Sequence, residues 1–200
     1  PLSFAGAGPV IRFGGGSTVL TISGTLGVKA PDLIIGRLLD TAALGLFARA
    51  SGLAVQFRQL VSGAVAGVFY PAFARMRDAG QPLAKPYLAL IAGYSAIVWP
   101  AMAGLAVAAE PLVRIVYGER WLGAAPLLSW LAIAEIIFIA LPMHVEMPIL
   151  LGRLKAAVRL NLLDTATSII LLLFAARYGI VWAAMARVGY GIIWFAIYAP

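Results

Sequence analysis

The chain has 200 residues, with 15 Lys+Arg, 8 Asp+Glu, one His and no Cys, for a formal net charge of +7. Hydrophobic residues make up 62%, charged residues 12%, and mean hydropathy is +0.96, whereas soluble domains hold about 45–50% apolar and about 25% charged residues. This composition excludes a disordered chain, disulfides, Cys-based zinc sites and any multi-His metal site, and it predicts an all-α polytopic membrane protein in place of a soluble domain. The basic residues stand singly between apolar runs, so the pI near 10.1 reads as topology signal and anion attraction, not as a nucleic-acid surface. No signal peptide is expected, and the start at Pro1 reads as a piece of a longer protein.

A spanning helix needs about 20 mostly apolar residues. Six windows qualify: 13–36, 42–73, 87–109, 122–150, 157–176 and 180–199. Together they form a single transmembrane bundle. In the first, Lys29 and Asp32 are three residues apart and can share a helix face. Pro31 between them predicts a bend or break. The pair is either an ion site or a self-neutralising pair near the interface. Gly14-Gly15-Gly16-Ser17-Thr18 has no following Lys and reads as close packing or flexibility, not as a phosphate loop.

The second window is longer than a bilayer needs, so it must tilt or protrude. At 100° per residue, Gly45, Arg49, Gln56, Gly63, Gly67 and Tyr70 fall on one stripe, with Gln59 at its margin. That face should line water or pack closely on a neighbour. Arg58 is nine residues from Arg49 and points the opposite way, toward an acid on an adjoining span. The third window carries no charge. In the fourth, Glu135 lies deep and could take up a proton, and Glu146 follows eleven residues on. Pro142 and Pro148 break the helix between and beside them. His144 reads as packing rather than as a ligand. The fifth window shows a polar face of Asn161, Asp164 and Ser168. In the sixth, Arg187, Tyr190, Trp194 and Tyr198 line up at spacings of three and four. Those aromatics either stack on sugar rings or serve helix packing and the interface.

Joints of one parity carry Arg12, Arg75, Arg77, Lys85, Arg153, Lys155 and Arg159, seven cations, against four at Arg37, Arg114, Arg120 and Arg177. The seven-charge side is expected in the cytoplasm. Catalytic motifs are missing: there is no Walker A loop, no dinucleotide fingerprint and no nucleophile elbow. The expectation is a protein with no catalytic residues, no metal and no cofactor.

Several joints resemble one family. Asp32-Leu-Ile-Ile-Gly36-Arg37, then Leu44-Gly45-Leu46-Phe47-Ala48-Arg49-Ala50, is similar to the Asp-x-x-Ile-Ile-Gly and Leu-Gly-x-Tyr-x-x-Ala segments of bacterial oligosaccharide flippases of surface-polysaccharide export. Phe69-Tyr70-Pro71-Ala72-Phe73-Ala74-Arg75-Met76 resembles their Phe-Pro-x-x-Ser-x-Leu segment. Tyr117-Gly118-Glu119-Arg120-Trp121 followed by Ala125-Pro126-Leu127-Leu128 resembles Phe-Gly-x-x-Trp-x-x-Ala-x-x-Leu. Leu151-Gly152-Arg153-Leu154-Lys155 and Tyr178-Gly179-Ile180 follow in order. Phe47 and Ala74 depart from the usual Tyr and Ser, and Asp40 stands where Gly is frequent.

The resemblance implies the second lobe of a two-lobe fold, with the N-terminal lobe outside this chain. It implies movement of an undecaprenyl-diphosphate-linked oligosaccharide across the bacterial inner membrane for O-antigen, capsule or exopolysaccharide. Partners would be the lipid-linked oligosaccharide, membrane lipid, and polysaccharide polymerase and chain-length proteins. Arg49, Gln56, Arg58 and Arg187 are the candidates for the diphosphate. Lys29, Asp32 and Glu135 are candidates for ion coupling, and Tyr190 and Trp194 for sugar contact. The alternatives are a peptidoglycan-precursor flippase or drug antiporter of the same fold, then a membrane-embedded glycan polymerase or ligase.

Overall fold

A computed structural model of the chain describes residues 7–199, apart from the side chains of residues 7, 9–12, 60–62, 64 and 66. Arg12 of the charge tally therefore lies outside the described side chains. The described residues form eight helices: α1 Ala7–Leu38, α2 Thr41–Asp78, α3 Ala84–Val107, α4 Ala109–Tyr117, α5 Ala125–Ile139, α6 Glu146–Leu150, α7 Leu154–Ala176 and α8 Ile180–Tyr198. A 3₁₀ turn, Glu119–Ala124, precedes α5. Among the described residues, five stretches are long and apolar enough to cross a membrane: Phe13–Leu38, Ala84–Val107, Glu119–Ile139, Leu154–Ala176 and Ile180–Tyr198. Large apolar side chains such as Val28, Ile97 and Ile170 point outward, the reverse of a water-soluble surface. The chain is an all-α, multi-pass membrane protein.

Helix α2 has 38 residues, about 57 Å at 1.5 Å per residue. Its length exceeds the roughly 30 Å hydrocarbon core. It begins at Asp40, whose Oδ1 accepts from the Ala43 amide at 2.6 Å, satisfying one of the donors left free in a first turn. Its last turn carries Arg75 and Arg77.

Helices α1 and α7 run parallel. Gly16 meets Leu154, the hydroxyls of Ser23 and Thr165 are 3.0 Å apart, and Ala30 and Ile34 join Leu172 and Ala176 in one core cluster. A Cβ on Gly16 would stand 2.8 Å from Leu154 Cδ2, so a side chain at this position would displace that of Leu154. Arg77 Nη1 donates to the Leu150 carbonyl at 2.7 Å, which brings the 75–85 and 151–155 joints to the same end. At the other end Ile35, Phe47, Val113, Leu127 and Leu128 form the largest core, with Leu39, Tyr117, Trp121 and Ile180 packed against it. The joints bearing Arg37, Arg114, Arg120 and Arg177 gather there.

Three local expectations change. Helix α1 is unbroken through Pro31; proline there removes only the hydrogen bond to the Gly27 carbonyl, and the rest of the ladder carries the helix on. The joint from Glu110 to Trp121 is not a plain polar loop. Helix α4 buries Ala109 and Val113 and exposes Glu110 and Arg114, with a 3.1 Å ion pair between those two. The fourth window is interrupted between Ile139 and Glu146, where Met143 takes φ 58°. The Tyr87 hydroxyl donates to the Pro142 carbonyl at 2.8 Å, partnering a backbone group that the interruption leaves without a helical donor.

Candidate functional site

Helix α2 turns Phe47, Ala50 and Ala54 into the core, and Arg58 continues that face one turn further along. Its Nε lies 2.5 Å from Glu135 Oε2 on α5; the Glu135 side chain is 5% exposed and that of Arg58 33%. Arg187 on α8 is a second cation acting on Glu135, and it acts on Asp164 of α7 as well. Its Nη1 donates to Ser168 Oγ at 3.3 Å. Its guanidinium lies over the rings of Phe138 and Tyr190, at 5.3 and 5.0 Å from the centroids. The Tyr190 hydroxyl donates to Asp164 Oδ1. Charges of alternating sign thus run from α2 through α5 and α8 to α7. Isolated charges at membrane depth are costly, and here each has an opposite charge or a hydrogen bond beside it.

A cavity of about 280 Å³ opens beside this chain of charges, lined by α1, α2, α5 and α8. Arg58, Glu135, Arg187, Asp32, Gln59 and Ser51 contribute its polar groups. Gly27 also lines it, and its carbonyl is the one Pro31 releases.

The sequence candidates divide at this cavity. Asp32, Arg58, Glu135 and Arg187 come together. Lys29 is exposed and does not join them, and among the described residues it forms no ion pair with Asp32. Arg49 and Gln56 are exposed and line no part of the cavity. The stripe they head packs closely only at its start, where Gly45 meets Trp121. Arg49 is held there between Tyr117 and Trp121, at 5.1 and 4.9 Å from the ring centroids. Gly63 and Gly67 have nothing within 4 Å of where a Cβ would stand. Tyr190 and Trp194 are buried in the α5–α8 interface and do not present their rings to the cavity. Trp194 packs on Phe138 and His144, with centroids 5.2 and 4.9 Å away. His144 sits edge-on to Trp194 and Tyr198. Among the described residues no three His, Asp or Glu side chains converge as metal ligands.

Two features were missed from sequence alone: the Tyr117–Trp121 clasp on Arg49, and the cavity role of Ser51. The clasp had a signal, since both aromatics sit in the Tyr117–Trp121 motif, but the 68 residues separating Arg49 from Tyr117 (117 − 49) conceal it. Ser51 had none.

A membrane helix bundle with half-buried guanidiniums beside a buried carboxylate has relatives in sequence. The profile of the family described as "Polysaccharide biosynthesis protein" matches residues 1–126. The chain belongs to that family. The polysaccharide biosynthesis family match takes in Asp32, Arg49 and Arg58, while Glu135, Asp164 and Arg187 lie beyond the matched residues. Among curated relatives, the chain is 28% identical over 135 residues to "Lipopolysaccharide biosynthesis protein WzxC" of Escherichia coli (strain K12), covering 68% of this chain and 27% of that one. It is 28% identical over 124 residues to "Succinoglycan biosynthesis transport protein ExoT" of Rhizobium meliloti (strain 1021), covering 62% and 25%. It is 27% identical over 112 residues to "Teichuronic acid biosynthesis protein TuaB" of Bacillus subtilis (strain 168), covering 56% and 23%. The matched stretches span about a quarter of those relatives' own length. No solved structure matches the chain.

Proposed function

We propose that this chain is one lobe, the second of two, of a non-enzymatic flippase. The flippase carries an undecaprenyl-diphosphate-linked oligosaccharide from the cytoplasmic to the periplasmic leaflet of the bacterial inner membrane, for surface polysaccharide. One observation carries the reading: Arg58 pairs with the buried carboxylate of Glu135 at the wall of a polar cavity that Arg187 also lines. Family membership and a relative named as a transport protein support it.

A diphosphate crossing the membrane needs cationic donors in a water-containing space, and the planar guanidinium fork matches its oxygens. The polyprenyl tail stays in lipid. No covalent bond changes, so the lobe needs no nucleophile, cofactor or metal. In the resting state Glu135 occupies the two cations. Proton uptake by Glu135 removes that competition and frees Arg58 and Arg187 for the diphosphate; proton loss reverses the exchange. Asp32, on the same cavity wall, is the second carboxylate available to a coupling ion. Arg49, clasped between two rings toward the end of the bundle that carries Arg114 and Arg120, serves as an outer station for the same anion.

The test uses the full-length protein and reads surface polysaccharide together with membrane abundance. Arg187→Ala is expected to reduce export at least tenfold at normal abundance, since one charge-assisted hydrogen bond contributes roughly 1.5–3 kcal/mol. Arg187→Lys should recover part of it. Glu135→Gln should export without dependence on the pH gradient. Normal export by Arg187→Ala at wild-type abundance would remove the cavity from the substrate path.

A further inference from the structure

A second concave site lies away from the charged cavity and shares no lining residue with it. It is an open groove of about 1260 Å³ where α1 and the start of α7 meet, lined by Gly8, Phe13, Gly16, Gly152, Arg153, Leu154, Lys155, Val158 and Arg159. Its ligand-facing chemistry has two parts. Arg153, Lys155 and Arg159 supply three cations with no acidic residue in the lining. All three are exposed, and the ion pairs among the described residues lie elsewhere, at Arg58–Glu135, Arg77–Asp78 and Arg114–Glu110. Phe13, Leu154 and Val158 supply an apolar wall beside them, with the Phe13 side chain 56% exposed.

The local helix electrostatics are unfavourable as they stand. Arg153 is the residue before α7, no side chain caps its first turn, and that turn holds no acid. Cations are disfavoured at a helix N-terminus, where the macrodipole is positive. Three cations at the rim of an apolar groove, at the end of a membrane bundle, form a site whose charge is balanced by an anion from outside the chain. Basic pockets between membrane helices take anionic headgroups in this way.

We propose that this α1–α7 groove binds an anionic glycerophospholipid of the surrounding leaflet, its phosphate on Arg153, Lys155 and Arg159 and an acyl chain along Phe13, Leu154 and Val158. The occupant is a lipid because the groove pairs its cations with an apolar wall and opens outward, at a helix end where the leaflet's headgroups lie. A soluble anion would have no use for that wall.

The experiment takes the full-length protein, purified in detergent and offered mixed micelles of phosphatidylcholine and phosphatidylglycerol, and counts retained lipid by native mass spectrometry. Losing one cation near an anionic headgroup reduces affinity about fivefold, so Lys155→Gln/Arg159→Gln is expected to lower phosphatidylglycerol retention about 25-fold. Arg75→Gln/Lys85→Gln removes two charges from the same end of the bundle but outside the groove, and should leave retention unchanged. Val158→Trp fills the groove without altering charge and should also reduce retention, which keeps the test decisive if the double variant fails to fold. Equal loss in both double variants, or no loss in the groove variants, would reduce these cations to topology signals. Equal retention of phosphatidylcholine, or displacement of phosphatidylglycerol by a polyprenyl diphosphate at equimolar concentration, would also overturn the assignment.

Discussion

The Arg58–Glu135 pair makes a sharp stability prediction. Glu135 has only 5% of its side chain exposed and sits 2.5 Å from Arg58. Removing one member of a buried pair typically costs 3–5 kcal/mol, because the other charge is left uncompensated. Two features reduce that figure here: the cavity leaves one side of the pair unpacked, and Arg187 on the same cavity wall supplies a second cation. Arg58→Leu is therefore expected to cost about 3 kcal/mol, at the low end of that range. Removing both charges at once in Arg58→Leu/Glu135→Leu leaves no orphan, and should cost much less than the sum of the two single changes. The double-mutant cycle should give a coupling of at least about 1.5 kcal/mol. The measurement is the unfolding equilibrium of the full-length protein in mixed micelles, with membrane abundance as a second readout. Additive single costs, with coupling below about 0.5 kcal/mol, would refute the idea that the two charges stabilise each other, and would leave Arg187 as the partner of Glu135.

Three further outcomes follow from other contacts. Gly191→Val should destabilise by about 1–3 kcal/mol through overpacking, because a Cβ there stands 3.3 Å from Ile137; wild-type thermal stability would contradict the close α5–α8 approach. Thr165→Val should cost about 0.6 kcal/mol, the average for hydrogen bonds between membrane helices, by removing the Ser23–Thr165 bond, and adding Ser23→Ala should cost little more. A cysteine placed by Ala79→Cys in the Arg75–Lys85 joint should react with a membrane-impermeant thiol reagent only after cells are permeabilised; labelling from the periplasm of intact cells would reverse the orientation read from the seven-to-four charge bias.

Most of the helices were legible because lipid is a simple solvent. It demands long apolar runs, and polar joints mark their ends. The start of α8 after Tyr178-Gly179 is such a case: Gly179 adopts φ 111°, a conformation that favours glycine and stops α7 from continuing. The partner of Arg58 was legible in kind, since a cation deep in a membrane helix with Ala54, Val55, Val61 and Ser62 around it must find an acid on another helix. Which face of α2 would meet the cavity was not legible. Small and polar residues lie on both faces, and periodicity alone does not say which one the neighbouring helices cover. The aromatic line on α8 posed the same difficulty. Tyr190 and Trp194 have the spacing of a sugar platform, but Phe138 on α5 covers their rings, and nothing local to α8 specifies that. Helix α4 was hidden by its shortness, at nine residues, in a stretch whose charges resemble those of a loop.

The length of α2 has a mechanical consequence. Arg58 divides it into arms of 17 and 20 residues (58 − 41 and 78 − 58), about 26 and 30 Å long. One arm is gripped midway along by the Tyr117–Trp121 clasp on Arg49, and the other near its tip by the bond from Arg77 to the Leu150 carbonyl. A rigid rod with its fulcrum at an ion pair converts a change of charge into movement of both ends. Tilting it by about 5° displaces the tips by about 2 to 3 Å in opposite directions. In the flippase proposed above, breaking the Arg58–Glu135 pair would free α2 to tilt, loosening one end of the bundle as it tightened the other, so that one lever would serve both membrane faces.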